Sequence, residues 1–304
     1  MLWIVIAILG YFLLAITALG DKFLLSGKPD PKNYTFFVNI PGILLVLLIP
    51  FVGFTVPNLE QIFFGLAVAV SAVAGSFLFF TALEKFESSR VVPAMGGFLP
   101  IFVFLIPVLI FRSSIVFSFA EFIAFFALVS GGVLISSEKG KRINYQSLLL
   151  TLPAALLFAV SFVFTKHLYL ELPFWTVLIL TRMEMTLIAA TLLFTKEVRS
   201  EICQRNSLLQ RKTGLLFLAV QGAGISAGLL QNFAIALVPL NHLVFVNALE
   251  GTKYMFLLGM SVLISKKFPN IIKESVSSSA IFQKAVAIVL IMAGLIIFTI
   301  FARS

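Results

Sequence analysis

Two short stretches place full charges in the middle of apolar sequence. Residues 247–254 read NALEGTKY, in which Glu250 and Lys253 are three residues apart, and the stretch LTRMEMTL carries Arg182 and Glu184. On a helix, Glu250 and Lys253 would share one face, whereas Arg182 and Glu184, two residues apart, would point in different directions. Such residues can bind the charged groups of a small solute or exchange a proton. Their chemistry therefore depends on the solvent that surrounds these stretches.

The composition indicates that this solvent is lipid. The chain has 304 residues, of which 60% are hydrophobic and 12% charged, with a mean hydropathy of +1.10. Soluble domains are about 25% charged, so the sequence predicts an all-α integral membrane protein. A charge inside hydrocarbon costs about 2.5–3.5 kcal/mol and usually marks a pathway for a substrate or an ion. The single Cys203 excludes an intramolecular disulfide.

Apolar runs of about 20 residues, bounded by charges or by Pro and Gly, predict transmembrane helices. The first run lacks the basic start of a signal peptide and is interpreted as a permanent span. Ten spans are predicted, at residues 2–24, 34–52, 61–83, 90–111, 117–136, 146–167, 174–195, 213–237, 241–264 and 281–302.

The second half of the sequence repeats the first. ALEKFESSRVVPAMGGFLPIF (82–102) aligns with ALVPLNHLVFVNALEGTKYMF (236–256), and LAITALGDKFL (14–24) aligns with FAVSFVFTKHL (158–168). These matches predict two five-helix repeats, residues 1–140 and 141–304. A unit with an odd number of spans ends on the side opposite to its start, so the second repeat must be inverted. Inverted repeats are typical of secondary transporters, whose substrate site lies near the midplane where the repeats meet.

The net charge of +9 comes from basic residues in short loops, which does not indicate nucleic acid as a partner. Most Lys and Arg residues follow the odd-numbered spans, for example Lys139, Lys141 and Arg142. Basic loops stay in the cytoplasm. We therefore expect an integral protein of the cell membrane with the loops after odd-numbered spans in the cytoplasm.

The amino-acid sequence of the two repeats resembles that of the EamA-type transporters of the drug/metabolite transporter superfamily. The resemblance is carried by FFTALEKFESSRVVPAMGGFLPIFVFLIPVLIF and FAEFIAFFALVSGGVLISS in the first repeat, and by QNFAIALVPLNHLVFVNALEGTKYMFLLGMSVLI and AIVLIMAGLIIF in the second. It implies a ten-helix transporter of small metabolites, with a cavity between two four-helix halves and with the fifth and tenth spans at the periphery.

The candidate substrate-binding residues are the polar ones within apolar runs. They are Asn39, Arg182, Glu184, Gln231, Asn232, Asn247, Glu250, Lys253 and Tyr254. Two interpretations stay open for the charged members: a buried network that locks helices together, or groups that bind the substrate, with Glu250 as the partner of a cation or as a proton carrier. Charges of both signs would suit an amino acid-like zwitterion, and protons are a possible coupling ion.

The fourth span has the sequence Pro93-Ala-Met-Gly-Gly-Phe-Leu-Pro100. Because proline removes a backbone hydrogen bond, the residues Pro93, Gly96, Gly97 and Pro100 are predicted to form a hinge. In the repeats, Lys22 aligns with Lys166, and these lysines are expected either to extend to the lipid headgroups or to gate the transporter.

No catalytic motif, metal site or cofactor site is predicted, and the sequence does not indicate an enzyme. The leading interpretation is a secondary transporter of a small organic metabolite that works by alternating access. A membrane scaffold or partner subunit, in which the buried charges serve assembly alone, and a membrane-embedded enzyme acting on a lipid-linked substrate are the alternatives. The sequence does not indicate an oligomeric state.

Overall fold

The computed structural model describes residues 2–24, 30–86, 88–112, 117–137, 145–203, 211–267 and 278–301, and this part of the chain contains helices but no strand. The α-helices are α1 (Leu2–Leu24), α2 (Pro31–Asn39), α3 (Ile49–Val52), α4 (Leu59–Lys85), α5 (Ser88–Ile110), α6 (Phe119–Ser136), α7 (Tyr145–Glu171), α8 (Phe174–Ala190), α9 (Lys196–Cys203), α10 (Arg211–Leu237), α11 (Leu243–Ala248), α12 (Glu250–Lys267) and α13 (Ser278–Phe301). Three segments, Ile40–Leu48, Thr191–Phe194 and Leu240–His242, are 3₁₀ helices.

The helices lie where the sequence predicts them. Each of the ten predicted spans coincides with one helix or with consecutive helical segments, and most boundaries agree within about three residues. Seven segments of the described chain, including the composite Pro31–Val52, are long and apolar enough to cross a membrane, and Phe119–Ile135 and Gly222–Leu237 are shorter apolar helices. The expectation of an all-helical membrane protein is therefore confirmed. The number of crossings and the inverted repeat stay predictions, and the predicted boundary after residue 140 lies outside the described residues.

Side-chain caps fix where several helices begin. Asn58 precedes α4, and its side chain accepts a hydrogen bond from the backbone of Gln61, whose own side chain accepts one from the Asn58 backbone. Ser118 and Glu121 form the same reciprocal arrangement at the start of α6. Such caps satisfy backbone N–H groups that the first helical turn leaves without partners.

The largest interfaces between helices join segments that are distant in sequence. They are α6 with α13, α4 with α7, α1 with α10 and α5 with α7. The centre of the apolar core is the fully buried Phe245 of α11, whose ring stacks on Phe298 of α13 with centroids 3.8 Å apart. Helix α11 is buried along its whole length, so the segment before Glu250 is enclosed by the bundle.

Helices α6 and α13 approach each other closely through glycine. A Cβ atom on Gly131 would lie 2.7 Å from Cγ1 of Ile291 and 3.0 Å from the carbonyl oxygen of Ala287. A Cβ atom on Gly294 would lie 2.9 Å from the carbonyl oxygen of Ala124. The backbones could not come this close with larger side chains, which is the usual reason for small residues between membrane helices.

The polar segment that follows the seventh predicted span forms the short helix α9, which is tied to α2. The ammonium group of Lys32 donates a hydrogen bond to the Glu197 carboxylate at 2.7 Å, and this contact lowers the pKa of Glu197 from its ordinary value. Both side chains are substantially exposed, so the pair orients α9 and contributes little to stability.

Replacement of Gly131 by Leu should destabilise the protein, because the added side chain would overlap α13. We expect the free energy of unfolding in detergent to fall by about 1–3 kcal/mol, as for other overpacked sites. Gly222→Leu is the matched control, since none of the described residues lies within 4 Å of a Cβ at that position. Equal unfolding midpoints for the two variants would contradict the described contact between α6 and α13.

Candidate functional site

The helical run of the ninth predicted span is interrupted just before Glu250. Helix α11 ends at Ala248, Leu249 forms a turn, and α12 begins at Glu250. The backbone N–H and the hydroxyl group of Thr252 both donate to the carbonyl oxygen of Leu249, at 2.9 and 2.7 Å. This tight turn of four residues, 249–252, places the charged pair at the start of α12. Irregular backbone inside a membrane protein is tolerated where it is enclosed by protein or lines a cavity.

Glu250 and Lys253 form an ion pair, as their spacing predicts. Nζ of Lys253 lies 2.5 Å from Oε1 of Glu250, and the hydroxyl group of Tyr254 donates to the same oxygen at 3.3 Å. Nζ of Lys253 also lies 4.6 Å from the centre of the Tyr254 ring. The two charged side chains keep 19% and 22% of their surface exposed, so the pair is neutralised and partly buried.

The predicted pair Arg182 and Glu184 points to two different helices. Nη2 of Arg182 is 3.4 Å from the position of a Cβ on Gly228 of α10, whereas the Glu184 carboxyl group contacts Gly65 of α4. Glu184 is 3% exposed, and its Oε2 has no hydrogen-bond partner in the part of the chain that the structure describes. Within the described residues, neither side chain makes an ion pair.

Gln231 and Asn232 connect α10 to helices on its two sides. Nε2 of Gln231 donates to the carbonyl oxygen of Ala7 in α1 at 3.3 Å, and Oδ1 of Asn232 accepts a hydrogen bond from Tyr169 of α7 at 3.2 Å. Both predicted residues therefore join helices, the commoner role of such side chains in membranes. Asn232 also lies one helical turn after Gly228, the glycine that lies against Arg182.

The remaining predicted polar residues differ in their surroundings. Asn39 is satisfied locally, since its Nδ2 donates to the carbonyl oxygen of Thr35 at 2.8 Å. Asn247 is 3% exposed, and its Nδ2 has no partner among the described residues. It lies next to Val246, whose carbonyl oxygen accepts a hydrogen bond from Tyr11 of α1 at 2.8 Å. A buried donor without a partner costs free energy. Asn247 is therefore a better candidate than Asn39 for a residue that binds a substrate.

The four predicted hinge residues lie within α5, which is helical from Ser88 through Ile110 and contains Pro93, Pro100 and Pro107. No unwound segment occurs there. Nothing lies within 4 Å of a Cβ on Gly96, whereas one on Gly97 would lie 3.3 Å from Val133 of α6. In the ninth predicted span, by contrast, a single i→i+3 turn at Leu249 separates α11 from α12. A conformational change at the α5 hinge stays a prediction.

The structure reveals polar contacts that sequence reasoning missed. Lys166 is 2% exposed and donates to the carbonyl oxygen of Ala236 at 2.9 Å, so the expected extension to the lipid headgroups is wrong for this lysine. The side chain of Lys22 lies outside the described residues. Nε2 of His242 lies 2.7 Å from Oε1 of Glu121 and links the start of the ninth predicted span to α6. Each of these pairs joins residues that are far apart in sequence, so a local sequence pattern cannot predict the contact.

No group of three His, Cys, Asp or Glu residues in the described chain is arranged to hold a metal ion. What the described residues do provide is a set of polar side chains on helices that contact one another, with a neutralised pair on α12 and a lone guanidinium group on α8. Together, the apolar helices and these enclosed polar groups define an all-helical membrane protein.

Comparison with known proteins supports the fold. No family model matches the chain, and no curated protein matches it. Among solved structures, 28 chains match this protein. One of them, a crystal structure of a protein, has a TM-score of 0.68 and 14% sequence identity, and the alignment covers 97% of this chain and 97% of that chain. At this identity, the similarity shows a shared fold alone.

Replacement of Lys253 by Met should destabilise the protein more than the double change Glu250→Gln with Lys253→Met. The single change leaves a carboxylate inside the bundle without its cation, whereas the double change removes both charges. We expect about 1.5–3 kcal/mol of destabilisation for the single variant, measured by unfolding in detergent. Equal stability of the single and double variants would show that the Glu250 carboxylate carries no penalty when it lacks its cation.

Proposed function

We propose that this protein is a secondary transporter that moves a small organic metabolite across the cell membrane by alternating access. In this proposal the chain crosses the membrane ten times, as two inverted five-helix repeats of the EamA type. The first repeat consists of the helices from α1 to α6, and the second of the helices from α7 to α13.

The observation that carries the proposal is the pattern of helix contacts. If the repeats are equivalent, the first span corresponds to the sixth, the third to the eighth and the fourth to the ninth. The interface of α1 with α10 then corresponds to that of α7 with α4, and both are among the most extensive. The contacts of α5 with α7 likewise correspond to those of α12 with α1, and α6 contacts α13, its own counterpart. This exchange of partners is what a two-fold axis between the repeats would produce.

The fold supports transport because such repeats can exchange conformations. Each repeat contributes the helices that pack against the other, so a change in their relative tilt would open the interface to one side and then to the other. In transporters of this design the substrate binds between the repeats. Here the partly exposed charged residues Glu250 and Lys253 belong to α12, which contacts α1 of the other repeat.

Glu184 is a suitable carrier for a coupling proton. A carboxyl group buried without a counter-ion is expensive to ionise, and Glu184 has neither an ion-pair partner nor a hydrogen bond at Oε2 among the described residues. Gly65 provides the space for its carboxyl group. In this proposal, Glu184 gains and loses a proton as the protein alternates between its outward-open and inward-open conformations.

Uptake into proteoliposomes tests the proposal. The purified full chain should take up at least one solute from a radiolabelled panel of amino acids, nucleosides, organic acids and sugar phosphates. Glu250→Gln and Lys253→Met should each reduce uptake by about tenfold or more, because loss of one charge alters a site in the proposed route. The exposed Glu197→Gln serves as the matched control and should leave uptake unchanged. Normal uptake by both site variants would refute their assignment, while no uptake of any solute by well-folded protein would favour the scaffold alternative.

The role of Glu184 has its own test. Glu184→Gln cannot release a proton, so uptake driven by a pH gradient should be lost while exchange of internal for external substrate continues. Both rates are measured in the same proteoliposomes with a transported solute of the panel. Equal loss of exchange would indicate a structural role, and an unchanged response to the pH gradient would exclude Glu184 as the proton carrier.

A further inference from the structure

Helix α10 presents three consecutive turns to polar side chains of neighbouring helices. Gly228, Asn232 and Ala236 follow one another at intervals of four residues and therefore share one face. Nη2 of Arg182 lies against Gly228, the Tyr169 hydroxyl donates to Asn232 at 3.2 Å, and Nζ of Lys166 donates to the carbonyl oxygen of Ala236 at 2.9 Å. We refer to these six residues as the α10 strip.

The strip brings two cations close together inside the bundle. Four residues of α-helix rise about 6 Å, so the contact points of Arg182 and Lys166 on α10 are about 12 Å apart along its axis. The phenol of Tyr169 and the amide of Asn232 lie between them. This length is suited to a small organic molecule lying along the helix.

No carboxylate among the described residues balances the positive charge of the strip. Arg182 has neither an ion pair nor a side-chain hydrogen bond there, and the one acceptor of Lys166 is a backbone carbonyl group. The nearest acid in the sequence, Glu184, faces α4 instead. Glu250 is already paired with Lys253. A guanidinium group in a membrane interior pairs with an acid or a backbone carbonyl group, or faces water. The part of the chain that the structure describes provides neither an acid nor a carbonyl group as a hydrogen-bond partner of Arg182.

We propose that the α10 strip binds the anionic group of the transported solute, a carboxylate or a phosphate ester. The planar guanidinium group of Arg182 can bind either anion through two parallel hydrogen bonds. The absence of a side chain on Gly228 leaves room for the guanidinium group against α10. Lys166 reaches a second acidic group or the far end of the solute.

This inference rests on the proposed transport function and narrows its substrate. The sequence favours an amino acid-like zwitterion because charges of both signs lie inside the membrane. In the structure, the negative charge of Glu250 is matched by Lys253, and no described carboxylate belongs to the strip. The substrate therefore needs an anionic group and does not need an amine.

Binding to the purified full chain tests the inference. Thermal stabilisation in detergent is measured with succinate, benzoate and glycerol 3-phosphate, and with their neutral counterparts succinamide, benzamide and glycerol. Alanine and alanine methyl ester separate the need for a carboxylate from the need for an amine. At least one anion should stabilise the wild-type protein while its neutral counterpart does not, and the pattern distinguishes a carboxylate from a phosphate ester.

Variants locate the binding to the strip. Arg182→Gln should weaken anion binding roughly 10- to 100-fold, the range for the loss of charged hydrogen bonds, and Arg182→Lys should weaken it less. Lys166→Met provides a second test if Arg182→Gln fails to fold. The exposed Arg199→Gln is the matched control and should bind as the wild type does.

The outcomes separate the inference from the function on which it rests. Uptake of neutral or cationic solutes alone, unaffected by Arg182→Gln, would overturn the anion site and leave transport standing. Anion binding that depends on Arg182 without uptake of any solute would support the site and overturn transport. Neither binding nor uptake across the panel would overturn both.

Discussion

The cost of placing charge in hydrocarbon is the constraint on which the polar interior of this protein depends. An unpaired charge in a membrane is expensive, so each ionisable side chain between these helices needs a compensating group. Lys253 compensates Glu250, and a carbonyl group of α10 accepts a hydrogen bond from Lys166. Arg182 and Glu184 have no such partner among the described residues. These two are consequently the residues for which a ligand or a proton offers the missing compensation.

Helix α10 organises the interior because its polar side chains contact two of its neighbouring helices, α1 and α7. Gln231 reaches α1 and Asn232 reaches α7, although the two residues are adjacent in sequence. Helix α1 continues the connection, since Tyr11 donates to the backbone of α11 one turn before Glu250. The lone guanidinium group and the neutralised ion pair are thus connected through a chain of helix contacts. In the proposed mechanism, a change at one of them can reach the other along this chain.

Local sequence was sufficient to predict the helices but not their polar contacts. Long apolar runs bounded by charges locate the spans because each run must cover the thickness of a bilayer, and the pair of Glu250 and Lys253 follows from a spacing of three residues. The partner of Lys166 could not be predicted in this way, because Ala236 offers a carbonyl group that every residue carries. The contact of His242 with Glu121 depends on how two distant helix ends pack. Similarly, the prolines of α5 favour a hinge in that helix. The turn that separates α11 from α12 instead occurs at Leu249, and leucine is not a helix-breaking residue.

The central claim is that the second repeat is inverted relative to the first, and side-specific labelling tests it most directly. In a Cys203→Ser background, single cysteines are introduced at Val56, which follows the second predicted span, and at Lys196, which follows the seventh. Both positions are exposed and occupy equivalent places in the two repeats. A membrane-impermeant maleimide applied to intact cells should label the cysteine at position 56. It should label the cysteine at position 196 only after the cells are permeabilised. Labelling of both cysteines from the same side would contradict the inverted repeat.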